Sequence, residues 1–371
     1  MHPPDQVLAA IRDLPRPRCA HVYDLGVLRA RAGRLRSALP RTTLLYAVKA
    51  NSHPSVVRTL AGVLDGVDVA SSGELALARA SDARRIVVSG PAKTDTLLTE
   101  AAAAGATINV ESLHELRRVP PGTAVTIRVN RPGAGLPGSH AMTGVPTQFG
   151  VDPTALPGLL DEARARDLDV HGFHLHAVSN NLDAAAHAAF IRSALAWSAA
   201  QPVDLRVVNV GGGLGVDYTG DTEFDLSALD VTPPPGVELI LEPGRYLAAD
   251  AGWYATEVID LKQTQGRWFA VVRGGTHHFR LPAAWGYSHP FTVLPIDDWP
   301  YPWPRPSVSG TTVDVAGELC TPRDILARDA PVAHLRIGDV LVLGRTGAYG
   351  WDISHHDFLR HDHPAFVILG S

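Results

Sequence analysis

The sequence is short of cysteine, of basic charge and of long apolar runs. Its 371 residues include two cysteines, which are too few for a disulfide framework and predict a reducing, cytoplasmic environment. The formal net charge of −5 excludes a broad basic surface for nucleic acid or anionic lipid. No apolar stretch reaches the roughly 18 residues of a membrane span, and the segment before Cys19 lacks a basic region followed by an apolar core. We therefore expect neither a membrane helix nor a secretory signal.

The composition that remains is that of a folded protein rich in turns. Hydrophobic residues make up 45% and charged residues 19% of the chain, which excludes a disordered polypeptide. The 34 glycines and 29 prolines exceed the average share of these residues and favour an α/β protein over a helical bundle. The length allows two or three domains, or one large barrel with an appendage.

Between residues 43 and 245, short β-branched runs alternate with segments rich in alanine and leucine. Eight such runs predict strands: Thr43–Ala50, Val67–Ser71, Arg85–Gly90, Thr107–Glu111, Ala124–Asn130, Val170–His176, Leu205–Val210 and Glu238–Glu242. Eight strand–helix units are the content of a (β/α)8 TIM barrel. A doubly wound sheet would need fewer strands and a glycine-rich first turn, which residues 46–51 do not provide.

After about residue 250 the helical period fades and a second, antiparallel β-barrel or sandwich domain is predicted. The short runs that predict its strands are Val258–Leu261, Trp268–Val272, Val293–Leu294, Thr311–Val315 and Val340–Leu343. Residues 295–306 hold five prolines among aromatic residues, so we expect a loop or an edge there. We predict a barrel over residues 24–250 and a β domain formed by residues 1–23 and 251–371.

Three features at the ends of predicted barrel strands point to one cofactor. Lys49 ends the first strand and suits Schiff-base chemistry, since a lysine that loses solvent loses its proton readily. Three glycines at 211–213 follow the seventh strand and offer backbone N–H groups to a phosphate. Glu242 and Arg245 follow the eighth strand, where a carboxylate can hold a pyridinium nitrogen and an arginine a phosphate. Taken alone, each feature also has a structural explanation, but together they match pyridoxal 5'-phosphate.

The chain resembles the fold type III pyridoxal-phosphate-dependent decarboxylases, the family of ornithine and diaminopimelate decarboxylases. The matching stretches are YAVKAN (46–51), VDVASSGE (67–74), RVN (128–130), QFG (148–150), HLHAVS (174–179), GGGLG (211–215), EPGR (242–245), GELC (317–320) and GAYG (347–350). They run through nearly the whole chain in the family's order. The resemblance implies a homodimer in which the β domain of one subunit completes the active site of the other.

The resemblance also assigns roles to individual residues. Lys49 is similar to the lysine that binds the cofactor aldehyde, and His176 to the imidazole that stacks on the cofactor. Cys320 is similar to the acid from the partner subunit that protonates the substrate carbon after carbon dioxide leaves. The remaining implied cofactor contacts are Asp68, Arg128, Ser179, Gly212, Gly213, Glu242, Arg245 and Tyr349.

The substrate pocket departs from the best-known members of the family. Those enzymes carry a carboxylate after the active-site cysteine, whereas this chain has Thr321, which argues against a substrate with a distal ammonium. Cationic and imidazole side chains favour an anionic substrate tail; the candidates are Arg273, His277, His278, Arg280 and Arg323. The segments RGGTHHFRLP (273–282) and GAYGWDISHHDF (347–358) resemble the siderophore-biosynthesis branch, which acts on an amino acid condensed with citrate, such as citryl-diaminopropionate.

Three alternatives stay open at this point. A diaminopimelate or other basic amino acid decarboxylase shares the cofactor motifs, and an amino-acid racemase uses a related barrel. A small non-catalytic pyridoxal-phosphate-binding protein is the third alternative. We expect no metal site, because the histidines at 355, 356, 361 and 363 lack a clear ligand spacing.

Overall fold

The computed structural model describes residues 2–370. Its strands are β1 (Cys19–Asp24), β2 (Thr43–Ala47), β3 (Gly66–Val69), β4 (Ile86–Val88), β5 (Thr107–Val110), β6 (Ala124–Arg128), β7 (His140–Ala141), β8 (Asp169–His174), β9 (Val178–Ser179), β10 (Val207–Asn209), β11 (Glu238–Leu241), β12 (Gly252–Thr264), β13 (Arg267–Val272), β14 (Phe291–Leu294), β15 (Ser307–Ala316), β16 (Ile325–Arg336), β17 (Val340–Leu343) and β18 (Ala365–Leu369). Its helices are α1 (Asp5–Arg12), α2 (Leu25–Ala38), α3 (Pro54–Val63), α4 (Ser72–Ala80), α5 (Asp95–Ala103), α6 (Leu113–Leu116), α7 (Leu156–Ala165), α8 (Ala184–Ala199), α9 (Arg245–Ala248) and α10 (Leu281–Trp285). None of the helices in this part of the chain is both long and apolar enough to span a bilayer.

The chain divides into two compact units. One unit runs from Leu28 to Asp217 and from Thr222 to Leu247, and the other contains the remaining N-terminal, C-terminal and 218–221 segments. The first is the barrel unit and the second the β unit.

Eight parallel strands close the barrel unit in the order β10-β11-β2-β3-β4-β5-β6-β8. All eight predicted strands are present, and the predicted (β/α)8 barrel is confirmed. Apolar side chains from four of these strands form a buried cluster in the barrel, namely Leu45, Val87, Val207 and Ile240. Side chains that are apolar on both faces of a strand are what a sheet covered by helices requires.

Polar side chains at the N-caps define where two of the barrel helices begin. Ser71 accepts a hydrogen bond from the Glu74 N–H at the start of α4, and Thr94 accepts one from Leu97 at the start of α5. The first predicted strand is too long, because the extended backbone ends at Ala47 and Val48–Ala50 forms a 3-10 turn. Lys49 therefore lies on a turn at the end of the strand rather than within it.

The β unit is a single sheet around its own core. Six of its strands follow the order β14-β17-β12-β13-β15-β16. Strand β1 pairs with β12 on one side and with β18 on the other. Helix α1 packs on it through Val7 and Ile11, which join a buried cluster with Val22, Trp253 and Val342. The predicted antiparallel sheet is mixed, because β13 runs parallel to β15 and β1 runs parallel to β18.

Three strands of the β unit were not predicted from the sequence. They are β1, β16 and β18. Strand β16 has an irregular sequence of buried and exposed side chains and contains Pro331, so it lacks both the alternation and the apolar run used to find strands. The proline-rich segment lies outside the regular elements as expected. Its Tyr301 ring stacks on Trp303 and meets Trp299 edge to face.

Candidate active site

Lysine and carboxylate meet at the first two strands of the barrel. Lys49 Nζ lies 2.9 Å from Asp68 Oδ2, where Asp68 is 1% exposed on β3. The lysine side chain is 47% exposed, so its amine faces solvent on one side and the buried carboxylate on the other. Burial and the charge of Glu242 raise the pKa of Asp68, and the neighbouring ammonium opposes them. Lys49 is thus an accessible amine with a fixed counterion.

A second carboxylate, Glu242, follows β11 and is buried. Asn209 Nδ2 donates a 2.5 Å hydrogen bond to its Oε1, and His174 Nε2 lies 3.4 Å from its Oε2. Burial raises the pKa of Glu242, but His174, Lys49 and Asn209 outweigh it and lower this pKa to about 2. The group is a permanent anion at neutral pH, as required of a partner for a protonated ring nitrogen.

The glycines at 211–213 are required by close backbone packing. Gly211 and Gly213 have φ values of +66° and +100°, which favour glycine. A Cβ on Gly212 would overlap the Glu242 carbonyl, and a Cβ on Gly211 would overlap the His176 ring. His176 Nδ1 is buried without a hydrogen-bond partner among the described residues. Desolvation, together with the charges of Arg128 and Lys49, holds the pKa of His176 well below its usual range.

Arg245 and Ser179 meet beside this glycine loop. Arg245 Nη2 lies 3.4 Å from Ser179 Oγ, and Arg245 is 5% exposed. Val178, next to the serine, pairs with Ala141 between the short strands β9 and β7. Gly138 makes room for this valine, because a Cβ there would lie 2.5 Å from Val178 Cγ2. The serine hydroxyl therefore remains within reach of the guanidinium.

Arg128 is held by a buried charge network that the sequence did not predict. Its Nη1 lies 3.0 Å from Glu111 Oε1, and its guanidinium sits 4.5 Å from the centre of the Phe149 ring. Lys93 forms a second buried ion pair, 2.8 Å from Glu115, whose carboxylate also accepts the N–H of Glu111. The sequence carries no clear signal for this network, because residues 93–115 hold two further charged side chains, Asp95 and Glu100, among threonines and alanines.

The barrel residues fit pyridoxal phosphate. They offer an amine for the aldehyde, an anion for the ring nitrogen, and glycine N–H groups with Arg245 and Ser179 for the phosphate. The unpartnered Nδ1 of His176 leaves a buried polar atom for a ligand, and the glycine loop has no side chains that would screen its backbone from a phosphate. The sequence predicted these residues, and the structure adds His174, Asn209, Ser89 and Asn109 as their partners.

The β unit holds the other predicted site residues. Cys320 is an exposed free thiol, whereas Cys19 is buried, which raises its pKa to about 12. Thr321 follows it and lines a cavity of about 870 Å³. Tyr349 is half-buried and has a φ of +55°, a conformation that non-glycine residues rarely adopt.

The cavity wall is cationic. Three arginines line it, two of them predicted, Arg280 and Arg323, and one missed, Arg328. Thr276, Ser288 and His355 add polar groups, and none of the described lining residues is acidic. Arg328 lies on β16, a strand that the sequence pattern did not predict, and so could not have been placed there.

The structure places His277 and His278 away from this cavity wall. Both are 0% exposed, and His277 Nε2 lies 3.3 Å from Glu318, which also pairs with Arg273. The two imidazoles and Glu318 bring three ligand atoms within 4.8 Å of one another, a spacing that could hold a metal ion. A cation there would compete with the Arg273 guanidinium for the same carboxylate, so we interpret the group as an ion-pair network.

Comparison with known proteins agrees with this geometry. Residues 25–249 match the family model described as pyridoxal-dependent decarboxylase, pyridoxal binding domain. The chain is 38% identical to the 2-[(L-alanin-3-ylcarbamoyl)methyl]-2-hydroxybutanedioate decarboxylase of Staphylococcus aureus, over 98% of this chain and 97% of the relative. It is 35% identical to the diaminopimelate decarboxylase of Deinococcus radiodurans, over 94% and 89% of the two chains. Among solved structures, AQ1208 from Aquifex aeolicus is 26% identical with a TM-score of 0.80, covering 98% of this chain and 89% of that one.

The matched region is the barrel that carries Lys49, the glycine loop and Glu242, and the match extends over well over half of the chain. The relatives named above cover the β unit as well. The expected cofactor and reaction class are confirmed. The chain belongs to the family of pyridoxal-phosphate-dependent amino acid decarboxylases.

Proposed function

We propose that this decarboxylase acts on an α-amino acid conjugate that carries additional carboxylates, such as citryl-diaminopropionate in siderophore biosynthesis. The observation that carries this proposal is the cavity beside Thr321, with its three arginines and no acidic residue among those described. Arginines recognise carboxylates through paired N–H donors. The similar enzyme from Staphylococcus aureus is named for a substrate whose hydroxybutanedioate part carries two carboxylates.

The barrel residues prepare the reacting carbon. Pyridoxal phosphate, when bound, supplies an electron sink for the electron pair that the departing carboxylate leaves behind. Glu242 keeps a proton on the ring nitrogen, which strengthens that sink, and Asp68 orients the Lys49 amine. Gly212, Gly213, Arg245 and Ser179 hold the phosphate, while His176 and Arg128 fix the ring position. These roles rest on the contacts described above and on the match to the family.

Cys320 donates the proton that completes the reaction. It belongs to the β unit, and its exposed position leaves the thiol available to a second copy of the chain. The proton would move from Cys320 Sγ to the carbon that has lost carbon dioxide, and the Lys49 amine would then displace the product amine. We infer a homodimer in which Cys320 and Tyr349 of each copy complete the barrel site of the other. Both cysteines are free thiols, which supports a cytoplasmic location.

A substrate panel tests the proposed substrate class. The purified enzyme would be offered citryl-diaminopropionate, diaminopimelate, ornithine and lysine, and loss of carbon dioxide would be followed by mass spectrometry. We expect the citryl conjugate to have the highest kcat/KM. Faster turnover of any of the three free amino acids would overturn the substrate assignment but not the reaction class.

Two substitutions that each remove one arginine charge test whether the cavity binds the substrate carboxylates. Arg323→Gln and Arg328→Gln should each raise KM for the citryl conjugate by roughly tenfold or more, since a hydrogen bond to a charged group contributes about 1.5–3 kcal/mol. Arg267→Gln is the matched control, because Arg267 pairs with Asp314 and Asp329 and does not line the cavity. Equal effects of all three substitutions would contradict carboxylate recognition by the cavity.

A further inference from the structure

Polar side chains on four neighbouring barrel strands form a continuous chain that ends at Asp68. Ser89 Oγ donates to Asp68 Oδ1 at 2.6 Å, and Asn109 Nδ2 donates to Ser89 Oγ at 2.9 Å. Thr126 Oγ1 in turn donates to the Asn109 side-chain carbonyl. These residues come from β3, the end of β4, β5 and β6, which lie side by side in the barrel. We call Ser89, Asn109 and Thr126 the donor chain.

Every hydrogen bond in the donor chain points the same way. Each member gives its hydrogen toward Asp68, and the last hydrogen reaches the carboxylate oxygen that does not face Lys49. All three members are at least nine-tenths buried. Hydrogen bonds in such a chain polarise one another in a medium of low dielectric constant, so the distant donors strengthen the last one.

The carboxylate needs this support because of its surroundings. Burial and the negative charge of Glu242 both raise the pKa of Asp68, whereas Lys49 and Ser89 lower it. His176 and Glu242 are the other titratable groups that interact electrostatically with the lysine, and neither donates to Asp68 in the contacts described. Without the donor chain, Lys49 would be the one side chain among residues 2–370 left to hydrogen-bond the buried carboxylate.

We propose that Ser89, Asn109 and Thr126 are positioning residues that keep Asp68 ionised and aimed at the Lys49 nitrogen. The proposal rests on the function proposed above, since it concerns the lysine that binds the cofactor. None of the three side chains touches Lys49, so each acts through Asp68. A negative charge beside a nitrogen favours its protonated form. Weakening the donor chain therefore makes the nitrogen lose its proton at lower pH.

The first experiment measures this effect in the holoenzyme. The absorbance of the lysine-bound cofactor would be followed against pH for the wild type, Ser89→Ala, Asn109→Leu and Thr126→Val. We expect the midpoint to move to lower pH by about one unit in Ser89→Ala, which corresponds to about a tenfold change in the protonation equilibrium. The shift should be smaller in Asn109→Leu and smallest in Thr126→Val, following distance along the donor chain.

Two controls separate positioning from a general loss of stability. Ser89→Thr keeps the hydroxyl and should restore most of the wild-type midpoint. Ser198→Ala removes a 0% exposed hydroxyl from α8 that has no hydrogen-bond partner among the described residues, and it should leave the midpoint unchanged. Circular dichroism confirms folding of each variant, and Asn109→Leu carries the test if Ser89→Ala does not fold.

A second experiment needs no cofactor. The chain has only three lysines, Lys49, Lys93 and Lys262, so acetic anhydride labelling read by mass spectrometry resolves each one. In the cofactor-free protein, Ser89→Ala should shift the pH midpoint of Lys49 labelling downward. Lys262 is the internal reference because its side chain is 59% exposed and belongs to the β unit, whereas the donor chain lies in the barrel unit.

The outcomes distinguish this inference from the proposed function. If Ser89→Ala matches Ser198→Ala in both experiments, the donor chain has no positioning role and the inference is overturned. If Lys49→Ala keeps the absorbance of lysine-bound cofactor, the assignment of Lys49 fails. The labelling experiment would then still decide whether the donor chain acts on Asp68.

Discussion

The residue that sets the electronic character of the site is Glu242. Its carboxylate stays ionised because His174, Lys49 and Asn209 outweigh the burial that raises its pKa, and the resulting pKa of about 2 keeps it charged throughout the neutral range. A neutral amide of the same shape would keep the hydrogen bond from Asn209 in altered form but would lose the charge. The role of Glu242 is therefore testable by one substitution.

We expect Glu242→Gln to lower kcat by about 100-fold or more, the usual effect of losing one preorganised electrostatic contact. Cofactor binding should persist, because the phosphate contacts of the glycine loop are untouched. Steady-state kinetics and cofactor absorbance measure the two effects. Glu238→Gln is the control, since Glu238 lies at the start of the same strand and pairs with Arg85. A loss of less than tenfold in Glu242→Gln would contradict the assigned role.

At the scale of elements, the conformation of the turn after β10 is set by its close packing against the backbone that follows β11. Gly212 has no room for a side chain, because a Cβ would overlap the carbonyl oxygen of Glu242. Helix α3 offers the opposite case, since a Cβ on Gly62 would meet nothing within 4 Å. The two glycines are thus a matched pair for substitution by alanine.

Gly212→Ala should weaken cofactor binding by roughly tenfold or more, because the loop must move away from the phosphate position. Gly62→Ala should leave binding unchanged and raise the free energy of unfolding by up to about 1 kcal/mol, the difference in helix propensity. Fluorescence titration with pyridoxal phosphate and urea unfolding measure these effects. Equal affinities in both variants would mean that the loop does not hold the phosphate.

For the whole molecule, buried neutral imidazoles make stability depend on pH. Burial lowers the pKa of His21, His187 and His289 to about 4. In the unfolded chain each of these imidazoles has its ordinary pKa of 6.5 and binds a proton below that pH, whereas the folded chain does not until about pH 4. The free energy of unfolding should therefore fall as the pH decreases from 6.5 to 4.

Replacing one of these imidazoles should reduce the slope of the free energy of unfolding against pH between pH 4 and 6.5. His187 packs against Phe190 and Phe224, and both its ring nitrogens lack hydrogen-bond partners among the described residues. His187→Phe should remove up to about 1.4 kcal/mol per pH unit from the slope. Urea unfolding at several pH values measures it, with the exposed His114→Gln as control. An unchanged slope in His187→Phe would show that His187 titrates normally in the folded state.

The proposed dimer predicts complementation between inactive variants. Lys49→Ala and Cys320→Ala should each be inactive alone, and subunit exchange should form hybrids with one intact site. An equimolar mixture should regain about a quarter of the wild-type activity, as expected for random pairing in a two-fold dimer. Activity assays after mixing, with light scattering to establish the dimer, make the measurement. No regain of activity between exchanging dimers would mean that each chain supplies its own Cys320.

The fold of the barrel could be predicted because its signals are local. Runs such as Thr43–Ala47 and Glu238–Leu241 are apolar on both faces, and this pattern does not depend on their neighbours. Strands β1, β16 and β18 could not be predicted this way. Which of their side chains are buried depends on the neighbouring strands of the sheet, as the irregular burial along β16 illustrates.

The sequence by itself determined the cofactor class, because Lys49, the glycines at 211–213 and Glu242 occur in one order at the ends of strands. Only the tertiary structure decided which side chains hydrogen-bond to one another around these cofactor residues. Asp68, Ser89 and Asn109 stand about twenty residues apart in the chain, yet each is within 3 Å of the next. A hydrogen bond needs that distance and a fixed direction, and only the closed order of barrel strands supplies both.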